Sequence, residues 1–136
     1  MSGLVLDASM ALSWLLRDES NARADAVLVQ LEAAPAHAPQ VWPLEVSNAL
    51  WVAERRGRIQ EFQVRQGLED ILALPVSVEM SEPARVFREI LLLARRHGLS
   101  VYDATYLDLA ARLGLPLATL DDNLARAARE SGVELV

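Results

Sequence analysis

Four acidic residues stand at positions from which their carboxylates can meet in space. Asp7 directly follows a short apolar run, and Asp121 comes shortly after another. Glu45 and Asp103 each fall in the first turn of a predicted helix. In a parallel sheet the carboxyl ends of the strands, and the helix starts that follow them, lie along one edge. We therefore predict a single acidic site built from Asp7, Glu45, Asp103 and Asp121.

Carboxylates gathered in this way need a cation between them. Two carboxylates ~4 Å apart repel by about 4 kcal/mol at an effective dielectric of roughly 20. The sequence has no cysteine and only two histidines, which excludes thiolate sites and histidine-rich sites. Oxygen ligands favour hard ions. We predict a site for Mg²⁺ or Mn²⁺ with Asp7, Asp103 and Asp121 as direct ligands, and we assign no site for an organic cofactor.

Each acid also has a purely structural interpretation. Asp7 and Asp121 can be helix N-caps, and Glu45 and Asp103 can be first-turn acids favoured by the helix dipole. A repulsive cluster of four is harder to explain in this way than any one of them alone. Asp122, next to Asp121, is barely distinguished from it by sequence, and Asp108 is expected on a solvated helix face.

Three neutral side chains accompany the acids at spacings of two or three residues. They can support the ligands or contact a phosphate, and each can instead make a local turn or cap hydrogen bond. These residues are Ser9, Asn48 and Thr119.

The composition limits the class of protein. The 136 residues are 52% hydrophobic and 24% charged, which is typical of one globular domain, here residues 1–136. No apolar run approaches the ~20 residues of a membrane span, and no secretory signal is visible, so a cytoplasmic location is expected.

The net charge is −6 and all 13 basic residues are arginine. Binding of nucleic acid would therefore need local positive patches or a bound metal ion.

Short apolar strands alternate with helices, which predicts an α/β fold with a short, mainly parallel sheet and helices on both faces. The predicted strands cover residues 3–6, a short stretch near 38, 76–78, 117–119 and 133–135. The predicted helices cover residues 10–16, 20–33, 43–56, 59–73, 82–96, 101–113 and 121–131. Ser20 is a candidate N-cap, Pro43 is expected at the first helical position, and the apolar run 90–94 is expected to be buried on both sides.

Four segments of the chain carry a resemblance to a known family. They are Val5-Leu6-Asp7-Ala8-Ser9, Glu45-Val46-Ser47-Asn48-Ala49-Leu50, Val101-Tyr102-Asp103-Ala104 and Thr119-Leu120-Asp121-Asp122-Asn123-Leu124. In this order and at these distances the chain resembles PIN domains, in particular the VapC-type toxins of bacterial and archaeal toxin–antitoxin pairs. The resemblance covers essentially the whole chain, and no acidic position of the family pattern is missing.

The resemblance implies a doubly wound PIN-like sandwich and an endoribonuclease that hydrolyses structured RNA, often tRNA or rRNA. It also implies a cognate antitoxin that blocks the site, and a homodimer. The expected chemistry is in-line attack of an activated water on phosphorus, with the metal ion stabilising the phosphoryl charge. The tryptophans are expected in the core, with an antitoxin groove as the alternative for Trp14, Trp42 and Trp51.

Three other functions stay open on the sequence alone. One is a PIN-domain nuclease that processes RNA outside a toxin pair. Another is a phosphatase with an aspartate nucleophile, although Ser9 stands where a second aspartate is expected and the chain has no lysine. The third is a non-catalytic acidic module that binds a protein partner and no metal.

Overall fold

The computed structural model describes residues 2–136 as strands and helices in alternation. The strands are Leu4–Leu6 (β1), Ala36–Pro39 (β2), Val76–Glu79 (β3) and Leu117–Ala118 (β4). The helices are Ala8–Leu15 (α1), Ala22–Gln30 (α2), Val41–Arg55 (α3), Glu61–Leu72 (α4), Pro83–Arg85 (α5), Leu91–His97 (α6), Val101–Leu113 (α7) and Asp122–Glu130 (α8). A 3₁₀ turn covers Arg17–Glu19, and a π-helical turn, Val86–Ile90, joins α5 to α6.

The sheet explains why the acids can meet. Its strand order is β3-β2-β1-β4 and every pairing is parallel. All three residues of β1 are buried, so the sheet is covered on both faces, as its apolar strands predict. The chain runs from β1 to β2 on one side and returns to β4 on the other side of β1. Ligand sites of parallel sheets lie at such a reversal of strand order, beyond the carboxyl ends of the strands. The predicted fold class is confirmed.

Helix α7 is the helix that packs against most of the sheet. It contacts β1, β2 and β4, and its inner face includes the fully buried Leu107. The helix begins at a serine cap, because Ser100 Oγ accepts a hydrogen bond from the Asp103 amide at 3.0 Å. It ends at Gly114, whose φ of 66° suits glycine. The first turn of α7, with Asp103, is thereby held beside the end of β1.

Four helices start two residues from their predicted starts, at Ala8, Ala22, Val41 and Glu61, and two of these differences change the role of a named residue. Asn21, not Ser20, caps α2, since the Asn21 side chain accepts from the Arg23 amide at 2.8 Å. The third helix begins at Val41, so Pro43 is its third residue rather than its first. A proline fits there because the first turn of a helix needs no N–H donors.

The predicted last strand, 133–135, is reduced to one parallel bridge between Leu117 and Leu135.

Three predictions of burial were wrong. Trp51, expected in the core, is 51% exposed. Asp108 is 6% exposed and is paired with Arg85 at 2.6 Å and with Arg112 at 3.0 Å. These guanidinium groups lower the pKa of Asp108 against the effect of its burial. In the run 90–94, Ile90 is buried but Leu92 is 52% exposed, because this helix lies at the surface. No helix within residues 2–136 has both the length and the apolar character needed to cross a membrane.

The two histidines belong to different elements, His37 to β2 and His97 to α6. His97 joins the ends of α6 and α8: its Nδ1 lies 3.0 Å from Glu130 Oε2 and its Nε2 lies 3.1 Å from Ser131 Oγ. His37 is buried in β2 with Nδ1 at 3.3 Å from Glu79 Oε1. Neither lines the cavity described below.

Candidate active site

A cavity of about 240 Å³ opens at the carboxyl edge of the sheet, beside the reversal between β1 and β4. The ends of β1 and β4 and the helices α1, α3 and α7 supply its walls. The lining residues are Asp7, Ala8, Ser9, Leu12, Glu45, Ala49, Asp103, Tyr106 and Asp121. The structure thus brings together the four acids that the sequence singled out, from four separate segments.

Asp7 is the most buried of the four acids, with 4% of its surface exposed. Its carboxylate accepts hydrogen bonds from the Met10 amide at 2.9 Å, from Ser9 Oγ at 2.8 Å and from the Thr119 hydroxyl. Burial nevertheless raises the pKa of Asp7 to about 6, because these bonds, which lower it, only partly offset the loss of hydration. The negative charge of Asp103 raises it further. Asp7 is both the N-cap of α1 and an acid that would gain from a nearby cation.

Ser9 and Thr119 connect the two loops that carry acids. Ser9 Oγ donates to Asp7 and accepts from the Leu120 amide at 3.0 Å. Thr119 Oγ1 also donates to Asp7 and accepts from the Asp121 amide at 3.0 Å. Each hydroxyl therefore uses its one proton on the Asp7 carboxylate and its lone pair on the loop after β4. The arrangement fixes the end of β1 to the start of α8.

Glu45 and Asp103 face each other across the cavity from α3 and α7. Burial raises the pKa of Asp103, and so do the negative charges of Asp121 and Glu45. Tyr106 Oη donates to Glu45 Oε1 at 2.6 Å. Burial and this hydrogen bond both raise the pKa of the Tyr106 phenol, so it stays a neutral donor. Asp103 is therefore close enough to Asp121 and Glu45 for their charges to act on it.

Tyr106 and Trp42 are site residues that the sequence reasoning missed or placed only in the core. Tyr106 lies three residues after Asp103, which puts both on one face of α7, and that spacing was the available signal. Trp42 is buried, as expected of a core residue, and its indole N–H donates to the Asp7 carbonyl at 3.2 Å. This bond could not be read from the sequence because 35 residues separate its partners.

Two residues near the acids lie outside the cavity wall. Asn48 is exposed on α3 one turn beyond Glu45 and does not line the cavity. Asp122 is also exposed and outside the lining, whereas Asp121 faces the cavity and caps α8 by accepting from the Leu124 amide at 2.9 Å. Of the two aspartates only Asp121 lines the cavity, and this cap fixes the position of its side chain.

The donor atoms around the cavity suit a hard divalent ion. Every polar side-chain atom in the lining is an oxygen, and four of the groups are carboxylates. Within residues 2–136 no arginine forms an ion pair with any of the four acids. In the same part of the chain, no three acidic or histidine side chains are already arranged as a ligand set. The fit to a metal ion therefore rests on the donor chemistry and on the uncompensated negative charge.

A larger groove of about 940 Å³ lies away from the acids, between the end of α1 and α4. Its floor includes Trp14, Leu15 and Ile59, and Phe62 at its rim is 66% exposed. Arg58, which also lines it, is engaged by two acidic side chains of the turn after α1. The groove has none of the cavity's clustered carboxylates, so we place the chemistry at the smaller cavity.

Comparison with known proteins gives one consistent family. The sequence model of the PIN domain matches residues 4–130. The chain is 34% identical over 122 residues to a protein of Pyrobaculum aerophilum named Ribonuclease VapC3, covering 90% of this chain and 92% of that protein. It is 35% identical over 127 residues to a Mycobacterium tuberculosis protein also named Ribonuclease VapC3, covering 91% and 86%. The crystal structure of PAE2754 from Pyrobaculum aerophilum superposes with a TM-score of 0.70 at 27% identity, covering 91% of this chain and 78% of that one.

Proposed function

The chain belongs to the PIN domain family, and on that premise we propose that it is a metal-dependent endoribonuclease, the toxin of a VapBC-like toxin–antitoxin pair. Two relatives named as VapC ribonucleases, each matched over most of its length, support the activity. The observation that carries the proposal is the meeting of four carboxylates around one small cavity at the edge of the sheet. We take residues 1–136 to act as one catalytic domain.

The four acids divide into two roles. Asp7, Asp103 and Asp121 are the proposed metal ligands, and all three lack an arginine partner among the described ion pairs. A bound Mg²⁺ or Mn²⁺ ion supplies activation of water and stabilisation of the phosphoryl charge. Glu45 is the proposed group that orients the attacking water and accepts its proton. The hydrogen bond from Tyr106 holds one Glu45 oxygen and leaves the other free for this task.

The neutral residues keep the acids in place. Ser9 and Thr119 orient the Asp7 carboxylate and tie it to the loop that carries Asp121. Loss of such hydrogen bonds to a metal ligand typically lowers metal affinity by about 10- to 100-fold. Asn48, which is exposed one turn beyond Glu45, is proposed to contact the RNA strand rather than the ion.

The partners follow from the same proposal. An RNA strand is the substrate, and a cognate antitoxin that covers the cavity is the protein partner. We also propose a homodimer, for which exposed apolar side chains such as Leu44, Phe87 and Leu92 offer contact area. Sedimentation that gives only monomer at high protein concentration would remove the dimer from this proposal.

The central experiment is cleavage of total RNA in the presence of Mn²⁺, with Asp7→Asn as the test variant. Asp122→Asn is the matched control, since Asp122 is an exposed acid close in space that does not line the cavity. We expect Asp7→Asn to lose at least about 1,000-fold in cleavage rate and Asp122→Asn to keep the wild-type rate. Full activity of folded Asp7→Asn would refute the site.

Two other functions are separated by further measurements. A non-catalytic acidic module predicts no heat of binding when Mn²⁺ is titrated into the protein, whereas the nuclease predicts saturable binding that Asp7→Asn weakens. A nuclease that processes RNA outside a toxin pair keeps the cleavage activity but lacks a partner gene. A short open reading frame directly upstream of the coding sequence supports the toxin.

A further inference from the structure

The first turn of α2 is anchored next to the loop that follows β4. Asn21 caps this helix by accepting hydrogen bonds from the amides of Arg23 at 2.8 Å and Ala24 at 3.4 Å. The indole N–H of Trp14 donates to the Ala24 carbonyl at 2.7 Å, which docks the turn onto α1. The side chain at position 23 therefore leaves from a backbone whose position is fixed by the helix's own cap and by α1.

The guanidinium of Arg23 reaches Thr119, a residue that holds two acids of the cavity in place but does not itself line the cavity. Arg23 Nη2 donates to the Thr119 carbonyl at 3.5 Å. The hydroxyl of the same threonine donates to Asp7, and its Oγ1 accepts from the Asp121 amide. Thr119 therefore connects Arg23 to both Asp7 and Asp121, although 96 positions separate Arg23 from Thr119 in the sequence.

Most of the hydrogen-bonding capacity of Arg23 is unused. Arg23 is exposed, and within residues 2–136 no carboxylate forms an ion pair with it. One of its five N–H donors faces the Thr119 carbonyl. Five other arginines are held by acids and are not available in the same way: Arg58, Arg65, Arg85, Arg112 and Arg126.

An acidic nuclease needs a cation of its own at the mouth of such a cavity. The chain carries a net charge of −6, and four of its carboxylates are gathered at the cavity. RNA phosphates are repelled by both, so positioning of the strand depends on local positive groups. Arginine is suited to this because its planar guanidinium binds phosphate through two parallel hydrogen bonds.

We propose that Arg23 binds a backbone phosphate of the RNA strand next to the scissile bond and so positions the substrate over the acids. This inference rests on the proposed ribonuclease function, but it concerns a residue that lies outside the acidic cluster. The contact with the Thr119 carbonyl orients the guanidinium before RNA binds. The remaining donors are then free to form the paired contact with phosphate.

RNA binding is measured first, because it does not require cleavage. Asp7→Asn serves as the background so that the RNA is not consumed, and the probe is a fluorescein-labelled single-stranded oligoribonucleotide of mixed sequence. Arg23→Gln in that background is expected to weaken binding by about 10- to 100-fold, the effect of one charged hydrogen-bonded contact. It should also reduce the slope of log affinity against log salt by about 0.7, the value of one phosphate on a single strand.

Two further variants separate phosphate binding from a structural role. Arg129→Gln is the matched control, since Arg129 is also exposed but lies in the last turn of α8, away from the cavity. It should change neither affinity nor salt slope. Arg23→Lys keeps the charge, so it should restore the salt slope while regaining only part of the affinity. A merely structural role for Arg23 predicts no change of salt slope in any variant.

Cleavage by the otherwise wild-type protein completes the test. Arg23→Gln is expected to lower kcat/KM by the same factor as the affinity, mainly through KM. Equal affinity and equal salt slope for Arg23→Gln and Arg129→Gln would overturn the inference, and the ribonuclease proposal would stand on the Asp7 result. Conversely, full activity of Asp7→Asn would overturn the ribonuclease site; the binding series would then be run in EDTA, where a salt-slope change at Arg23 would still identify a phosphate contact.

Discussion

The burial of Asp7 predicts a pH-dependent difference in stability between the wild-type protein and Asp7→Asn. The pKa of Asp7 is raised from 3.8 to about 6 in the folded protein. The folded state therefore holds its proton more tightly than the unfolded state does. The stability contributed by protonated Asp7 is present below about pH 4 and is lost as the pH rises through about 6. A rise of roughly two pKa units corresponds to about 3 kcal/mol across the whole window.

The assay is urea unfolding of both proteins in EDTA at several pH values between about 4.5 and 7.5, a range that holds about 2 kcal/mol of the effect. We expect the free energy of unfolding of Asp7→Asn to rise relative to wild type by that amount across the range. At any single pH the difference in unfolding free energy between Asp7→Asn and wild type also contains a pH-independent part. This part arises because an amide oxygen accepts hydrogen bonds from Met10, Ser9 and Thr119 less well than a carboxylate does. Only the change with pH carries the prediction.

The control for this experiment is Asp122→Asn, which removes an exposed acid next to the site. Its stability difference from wild type should stay constant over the same pH range to within a few tenths of a kcal/mol. If the stability curves of wild type and Asp7→Asn run parallel from acid to neutral pH, the burial argument for Asp7 is wrong. Repeating the series with Mn²⁺ should raise the wild-type stability most at the neutral end.

Three further substitutions test the contacts around the site and the fold. Tyr106→Phe removes the donor to Glu45 and should lower cleavage by about 10-fold while lowering the free energy of unfolding by about 1 kcal/mol, measured by single-turnover kinetics and urea unfolding. Asp108→Asn breaks a part-buried ion-pair network and should destabilise the protein by about 2 kcal/mol, with cleavage at low temperature unchanged because this residue lies outside the cavity. Gly3→Ala places a Cβ 2.1 Å from the Pro35 carbonyl oxygen at a φ of 111°, so a loss of about 3 kcal/mol or more in unfolding free energy is expected, and an unchanged melting temperature would contradict the strained turn.

The sequence was sufficient to predict which segments meet at the edge of the sheet. Asp7 and Asp121 follow short apolar strands in a chain where strands and helices alternate, a pattern that favours a parallel, buried sheet, and in such a sheet both acids emerge at one edge. The helix starts that carry Glu45 and Asp103 follow from the same rule. Their meeting was predicted; their division into ligands and a proton acceptor is still a proposal.

What the sequence could not supply are contacts whose partners are distant in the chain. Asp108 is buried in an ion pair with Arg85, which lies 23 positions away on another helix. Its spacing along its own helix could not reveal this partner, and it therefore predicted a solvated face. Asn21 displaced Ser20 as the cap because both residue types are good caps and only the backbone selects one. The contact of Arg23 with Thr119 has no local signature in the sequence, because 96 positions separate the two residues.

The position of Asp7 places stability and function in opposition. At neutral pH its buried charge destabilises the fold by about 3 kcal/mol, against a total of about 5–15 kcal/mol for a domain of ordinary stability. Its neighbours donate three hydrogen bonds to the carboxylate, and the indole of Trp42 bonds its backbone carbonyl, so the surroundings hold the charge in place without neutralising it. Capping of α1 alone does not require a buried negative charge, since asparagine caps helices as well as aspartate does. A cation in the cavity offsets the penalty, so the metal-free protein at neutral pH should be the least stable form of the molecule. Any positive group that enters the cavity, whether a metal ion or a basic side chain of a partner, should therefore bind more tightly as the pH rises through 6.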